Sequence, residues 1–525
     1  MPIRFVHLNG PFTGSHEFRQ TQTALSVWEI REHGVSVLHP RLPLFGPPWE
    51  CPFEYPVFQL VAAGLDSIAP WKNLDVSIRL ANLFFYYLTA LTLFLLTRLL
   101  FTEAGVALFT AAVFLFSPYH IFWSRSSMIE YAATFFALAY LVTFIRWTFK
   151  PGRALFMLCV CFGVLGCLTK ITTFVIPLFI GGTLTGLCAL RLLMRKRKTD
   201  KELARLGPGV ASHGAIRQAG SQGGLRPVHI VLMVSMLLAP LSVGYSYARF
   251  SDKIKEASPY TAWLSSKHPF IKAWIYGTVN QRLSLNKWSI TLHRMQETVM
   301  PWLTIALGLG FCALPFRIRG FQQLPQGNFW IGCALALAPL VPMVTFYNLY
   351  WVHSYYFVAG APLLALFAGV GLWLVFDLIK DRRIKILFIV LLCGVWLQTS
   401  WPEVAQMVST PRTDARVGYL TEAAKLMNKD EPVIILSAQE WSPFAPYYLK
   451  RRAFMAMLLH KPVNMQPLLD TDYFKEHGFR WLLVEGSDPS MSELATKILG
   501  KWKRARKFAV PAGGPPYVLY SLSDE

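Results

Sequence analysis

Residues 15–34 read SHEFRQTQTALSVWEIREHG, a polar and charged run in a chain that is mostly apolar. What Glu17 and Arg19 do there depends on which side of a membrane they occupy, so the segments around them have to be placed first. Of 525 residues, 54% are hydrophobic and only 15% are charged, and the mean hydropathy is +0.37. A soluble chain carries about 25% charged residues. The missing charge, with apolar runs of about 17–25 residues, indicates an integral membrane protein.

The net charge of +21 raises the possibility of a nucleic-acid partner. Its distribution argues against one. The basic residues sit in short segments between apolar runs, as in RLLMRKRKTDK (191–201), RIRG (317–320) and KDRRIK (380–385), which is the positive-inside pattern. Seven of the eight cysteines lie within apolar runs, where Cys behaves as a small hydrophobe; Cys51 alone lies in a polar segment and reads as a free thiol.

Ten spans follow, at roughly 77–99, 104–123, 128–149, 153–169, 171–193, 229–248, 299–316, 328–347, 355–376 and 384–401. The basic, glycine-rich loop 194–228 fixes the cytoplasmic side, and 317–327 and 377–383 fall on it too. By the same count 1–76, 250–298, 348–354 and everything after 401 face the opposite side. Nothing before residue 17 reads as a first span, so an upstream span missing from this sequence is the preferred account of how the opening run reaches the outer face. Three regions result: an extracytoplasmic loop over 1–76, a transmembrane domain over 77–401, and a soluble α/β domain over 402–525. In the last, EPVIILS (431–437), FRWLLVEG (479–486) and PYVLYSL (516–522) read as buried strands. ARVGYLTEAAKLMNK (415–429) and MSELATKILGKWKRARK (491–507) read as amphipathic helices. The fold class is a polytopic α-helical membrane protein with a C-terminal extracytoplasmic α/β domain.

The chemically notable polar residues fall on the same face as the C-terminal domain. Glu17 and Arg19 are followed by Glu54 in CPFEYPVFQL, and Arg125 and Glu130 flank the start of the third span in SRSSMIEYAATFF. Lys170 interrupts CLTKITTF, and His353, Tyr355 and Tyr356 occupy NLYWVHSYYF. Each has an ordinary reading. Glu130 at a boundary is solvated, Arg125 snorkels, Lys170 meets a headgroup, the tyrosines form an aromatic belt, and Glu17 with Arg19 is a first-turn charge pair. Chance scatters such residues over both faces; their concentration on one points to a site for a charged substrate.

HEFRQTQTALSVWEIREHGVSVLHPRL (16–42) followed by FEYPVFQLVAAGL (53–65) resembles the first extracytoplasmic loop of the GT-C glycosyltransferases, most nearly the protein O-mannosyltransferases and the lipid A aminoarabinose transferases. SPYHIFWSRSSMIE (117–130) resembles their second acidic motif, and HSYYFVAGAPLLALFAGVGL (353–372) their late lumenal loop and the span after it. The resemblance implies a polyprenyl-phosphate sugar as donor, presented at the outer face, and transfer to an acceptor hydroxyl with inversion; the sparse cysteines and compact loops fit a bacterial inner membrane. The resemblance also implies an acidic general base in the first loop. Where the family has the Asp of its DExR element this chain has His16, so Glu17 is the first candidate base and His16 its competitor. Where the aminoarabinose transferases place a phosphate-contacting lysine this chain has Tyr55, which leaves Arg19, Arg125, Lys170 and His353 to bind the donor phosphate. Glu130 matches the second acidic motif in a positioning role, and Glu54, with Tyr355 and Tyr356, orients substrate. No ligand spacing calls for a metal, and no cofactor is expected. A secondary transporter and a non-catalytic binder of lipid-linked saccharide are the competing readings.

Overall fold

In a computed structural model that describes residues 2–206, 226–300, 303–318, 321, 324, 326–409, 413–437, 441–457, 469, 471–486, 489–508 and 517–523, the opening polar run folds as α1 (Glu17–His33). This helix is enclosed by protein: Gln20, Thr21, Gln22, Thr23 and Glu29 are buried along with Leu25 and Trp28. A short helix, α2 (Val57–Ile68), then leads to α3 (Leu74–Leu100). Asn73 caps α3 by accepting from the Val76 N–H at 3.2 Å, and Asp75 in the first turn complements the helix dipole.

The apolar run expected as one span at 104–123 forms two helices, α4 (Ala104–Phe116) and α5 (Pro118–Trp123). Pro118 has no N–H to donate and holds Ser117 in an extended conformation, so the helix stops and restarts. α6 (Glu130–Phe149), α7 (Arg153–Thr169), α8 (Ile171–Leu206) and α9 (Pro227–Glu256) follow. Lys170 alone, with extended backbone, separates α7 from α8. The basic loop expected at 194–228 begins instead as a continuation of α8; residues 207–225 lie outside the described residues.

Between α9 and the next apolar helix lie three short helices, α10 (Pro269–Tyr276), α11 (Val279–Leu283) and α12 (Leu285–Glu297). α13 (Thr304–Arg317) and α14 (Gly327–Leu337) are short. The span expected at 328–347 ends at Leu337 because Pro339 and Pro342 interrupt it, and continues as α15 (Leu340–Thr345) and α16 (Tyr347–Val352). α17 (Ala361–Leu378) and α18 (Arg382–Ser409) complete the helical part. Among the described residues six helices, α3, α6, α8, α9, α17 and α18, are long and apolar enough to cross a membrane. α13 and α17 approach backbone to backbone: a Cβ on Gly310 would lie 1.7 Å from the Phe367 carbonyl oxygen, and one on Gly371 1.9 Å from that of Ala306. Small residues permit such contact where lipid supplies no hydrophobic drive between helices.

The C-terminal part holds a five-stranded sheet in the order β2-β1-β3-β5-β4, with β1 (Val433–Ser437) parallel to β2 (Ala453–Met457) and β3 (Trp481–Glu485), and with β5 (Tyr517–Ser523) antiparallel to β3 and β4 (Arg504–Phe508). α19 (Ala415–Lys425) and α20 (Phe444–Leu449) flank it. The three expected strands form. The helix expected over 491–507 ends at Leu499, and its basic tail is β4, the exposed edge of the sheet. At the opposite edge the first loop covers β2: the Ala453 and Met455 N–H groups each donate at 2.9 Å, to the Pro43 and Leu44 carbonyls. The Arg452 guanidinium pairs with buried Glu29 of α1, and the Tyr448 hydroxyl accepts from the Phe12 N–H at 2.6 Å. The first loop is thus held between the helical part and the sheet.

Candidate active site

Eight of the residues named from sequence converge. α6 presents Glu130 at its first turn, and the break between α7 and α8 presents Lys170; their side chains form an ion pair only 2% and 6% exposed. The backbone break explains why the lysine points inward: it is the one residue between two helices, and its ammonium lies 3.9 Å from the Tyr356 ring centre and 5.2 Å from that of Tyr355. A second ion pair joins Arg19 of α1 to Glu54, with Gln22 accepting from Arg19 at 2.7 Å. Glu130, Tyr355 and Tyr356 also act on the Arg19 charge, so the two pairs share one neighbourhood. Burial opposes that charge, but Glu54 and these neighbours overcome the opposition and raise the Arg19 pKa.

The histidines complete the cluster. His16 caps α1 in the left-handed region at φ 55°, a conformation that a residue with a Cβ adopts at some cost. Its ring lies 5.2 Å from His353, 5.0 Å from Tyr355 and 5.7 Å from Trp123, and its Nε2 is 3.3 Å from the Ser354 hydroxyl. Burial and the Arg294 guanidinium lower the His16 pKa, and Glu130 works against them. Burial, with His16, Lys170, Arg19 and Arg294, pushes the His353 pKa down to about 3. Both imidazoles are therefore neutral near pH 7, one fit to accept a proton and the other to donate an N–H. One Glu130 oxygen, Oε2, and the Nδ1 of His353 are buried without a hydrogen-bond partner.

Two predicted residues lie elsewhere. Glu17 turns to the C-terminal part, where both its oxygens accept from Arg416 at 2.9 Å; Arg416 is held in turn by Asp414 and lies over the Phe444 ring. The left-handed backbone at His16 and the start of the helix at Glu17 send the two side chains different ways. Arg125 donates to the carbonyls of Arg4, at 3.0 Å, and Val6. The sequence reading missed Arg294, which approaches from α12 and donates to the Trp351 carbonyl, and Arg416. Neither carries a local signal: each lies on an ordinary polar helix, and only folding brings it to the first loop or to residues 351–353. Among the described residues, no three His, Cys, Asp or Glu side chains are grouped to hold a metal.

A narrow cleft of about 40 Å³ runs along α1 past Arg19, Gln22 and Glu29 to Glu54 and Gln59. A larger cavity of about 450 Å³ lies against Trp123 and Ser354, the neighbours of His16. Cations, neutral imidazoles and a half-satisfied carboxylate beside two cavities can hold a phosphate and take a proton from a nucleophile.

No protein-family model matches the chain, and no curated protein matches it. Solved structures do. ArnT from Cupriavidus metallidurans bound to undecaprenyl phosphate is similar with a TM-score of 0.61 and 14% identity, over 99% of this chain and 96% of that one. Archaeal oligosaccharyltransferase AglB from Archaeoglobus fulgidus, in complex with an inhibitory peptide and a dolichol-phosphate, gives a TM-score of 0.50 and 12% identity, over 92% of this chain and 69% of that one. The likeness extends over nearly the whole chain at identities where only architecture is shared. The chain therefore shares the fold of these two structures, that of a polytopic helical membrane protein with a C-terminal α/β part.

Proposed function

We propose that the protein transfers a sugar from a polyprenyl-phosphate donor to an acceptor hydroxyl at one face of the membrane. The observation that carries this is the meeting of a partly buried ion pair, Arg19–Glu54, and a buried one, Lys170–Glu130, with two neutral histidines on a GT-C fold. The ligands of the two similar structures, undecaprenyl phosphate and dolichol-phosphate, support a lipid phosphate as the donor's leaving group. Arg19, Lys170 and Arg294 supply positive charge for that phosphate, and the neutral His353 supplies an N–H. The acceptor oxygen attacks the anomeric carbon as the bond from that carbon to the phosphate oxygen breaks. The lipid phosphate leaves with the bonding electrons, the anomeric centre inverts, and the hydroxyl proton passes to the base.

His16 is that base in this reading. Its Nε2 faces Ser354, its lowered pKa keeps it unprotonated, and Glu130 stabilises the imidazolium once the proton arrives. Glu17, held by both nitrogens of Arg416, is the weaker choice. The test is transfer by the purified chain in nanodiscs from a panel of radiolabelled polyprenyl-phosphate sugars, with product mass spectrometry naming sugar and acceptor. His16→Ala should lower the rate by about 10²–10⁴-fold, while Glu17→Gln keeps it within a few-fold. Full activity in His16→Ala refutes the base assignment. A wild type that moves the lipid-linked sugar across the bilayer and transfers none replaces the enzyme with a transporter.

A further inference from the structure

The cavity of about 450 Å³ beside His16 is lined by the segment 10–15, Arg79 of α3, and Arg125 and Ser126 between α5 and α6. Arg79 is buried and donates to the carbonyls of Leu8 at 2.8 Å, Pro11 at 3.1 Å and Arg125 at 3.1 Å, with the Phe12 ring 4.1 Å away. Arg125 donates through Nε and Nη2 to the Arg4 and Val6 carbonyls, and its Nη1 has no hydrogen-bond partner among the described residues. Among the described residues neither arginine has a carboxylate at ion-pair distance, although the Asp75 carboxylate acts on Arg79 from further away. The charges that act on Arg125 are the guanidiniums of Arg79 and Arg4, and burial with these two lowers its pKa to about 10. Glu297 and Glu403 also line the cavity. Arg125, half-buried with carbonyl partners and two like charges beside it, is unfavourable until an anion joins it. A guanidinium with a free edge matches the planar geometry of a phosphate or carboxylate.

We infer that this cavity is the acceptor's anion subsite: Arg125, backed by Arg79, holds a phosphate or carboxylate group of the acceptor while a hydroxyl of the same molecule reaches His16. Sequence grouped Arg125 with the donor-phosphate cations; the cavity separates it from Lys170 and Arg19. The word acceptor rests on the proposed transfer reaction, whereas anion binding does not. The anionic group is either part of a lipid headgroup or part of a soluble glycan.

Calorimetry on the full chain in phosphatidylcholine nanodiscs, titrated with inorganic phosphate, measures the subsite without any sugar transfer. Arg125→Gln should weaken phosphate binding about tenfold or more, the loss of one charge-assisted hydrogen-bonding partner. Thr13→Glu places a carboxylate in the same cavity with both arginines intact and should weaken binding as much, while Thr13→Gln leaves it within about twofold. This second pair keeps the test sharp if Arg125→Gln misfolds. Because Lys170 is placed to hold the donor phosphate, both pairs of variants are also compared in the Glu130→Gln/Lys170→Met background, where the phosphate binding that remains should still follow Arg125 and Thr13. Phosphate binding that survives both Arg125→Gln and Thr13→Glu, or that disappears only in the double variant, overturns the inference, as does a wild type that binds no phosphate. Competition by phosphatidate in the nanodisc assigns a lipid headgroup, and competition by glucuronate a soluble glycan. Competition by neither overturns the acceptor role. Should transfer fail while phosphate binding follows Arg125, the reaction is refuted and the subsite stands.

Discussion

Replacing Lys170 by Met removes the cation of the most deeply enclosed ion pair at the site while keeping most of the side-chain volume. Glu130 and Lys170 are 2% and 6% exposed, so little water reaches the carboxylate left behind. Breaking a buried pair from one side costs about 3–5 kcal/mol, because the surviving charge stays desolvated. The reverse change, Glu130→Gln, should cost less, since the Lys170 ammonium keeps the Tyr356 and Tyr355 rings as partners. In Glu130→Gln/Lys170→Met no charge remains buried. The double variant should recover much of the loss, with a coupling of about 2–3 kcal/mol between the sites. Reversible unfolding of the four proteins in mixed detergent micelles measures that cycle. Additive single losses, each below about 1 kcal/mol as for a solvated pair, would refute the view that these charges are sealed together.

Acid should expose the histidines. A histidine held neutral in the fold, with its pKa lowered from 6.5 to about 3 for His353, contributes stability that is fully present above pH 6.5 and is lost as the pH falls towards 3. Unfolding midpoints between pH 7 and pH 4 should therefore fall less steeply in His353→Gln than in wild type. Since the His16 pKa is lowered too, the acid limb of the transfer rate should lie below pH 6.5 and vanish in His16→Ala. Arg416→Ala removes a partly exposed pair and should cost only about 1 kcal/mol, less in high salt, as read by thermal midpoint. Gly371→Leu drives a side chain into the Ala306 backbone and should abolish stable assembly on detergent size exclusion, whereas Gly182→Ala, with open space around it, should be neutral.

By itself the sequence determined the membrane class, most helix positions and a few of the buried polar residues, Glu130 and Lys170 among them. These follow from local quantities: an apolar run of sufficient length, a basic segment between two runs, a charge where lipid-facing chemistry forbids one. Lys170 was conspicuous because a lone ammonium between two apolar helices has few ways to be solvated. The breaks at Pro118 and Pro339 were present in the same letters, yet hydropathy averages over a window and passes across them. The basic tail 504–507 read as the end of a helix, since nothing local shows that β5 waits to pair with it.

Only the tertiary structure decided which polar residues meet. His16 and Glu17 are adjacent in sequence and chemically both suited to take a proton. The left-handed cap at His16 turns its ring towards His353 and Tyr355, while Glu17 is drawn to Arg416, 399 positions along the chain. Arg294 and Arg416 entered the picture for the same reason. An ion pair or a ring contact depends on distances of a few ångströms in space, which the order of residues along a chain does not encode until the helices and the sheet close around the first loop.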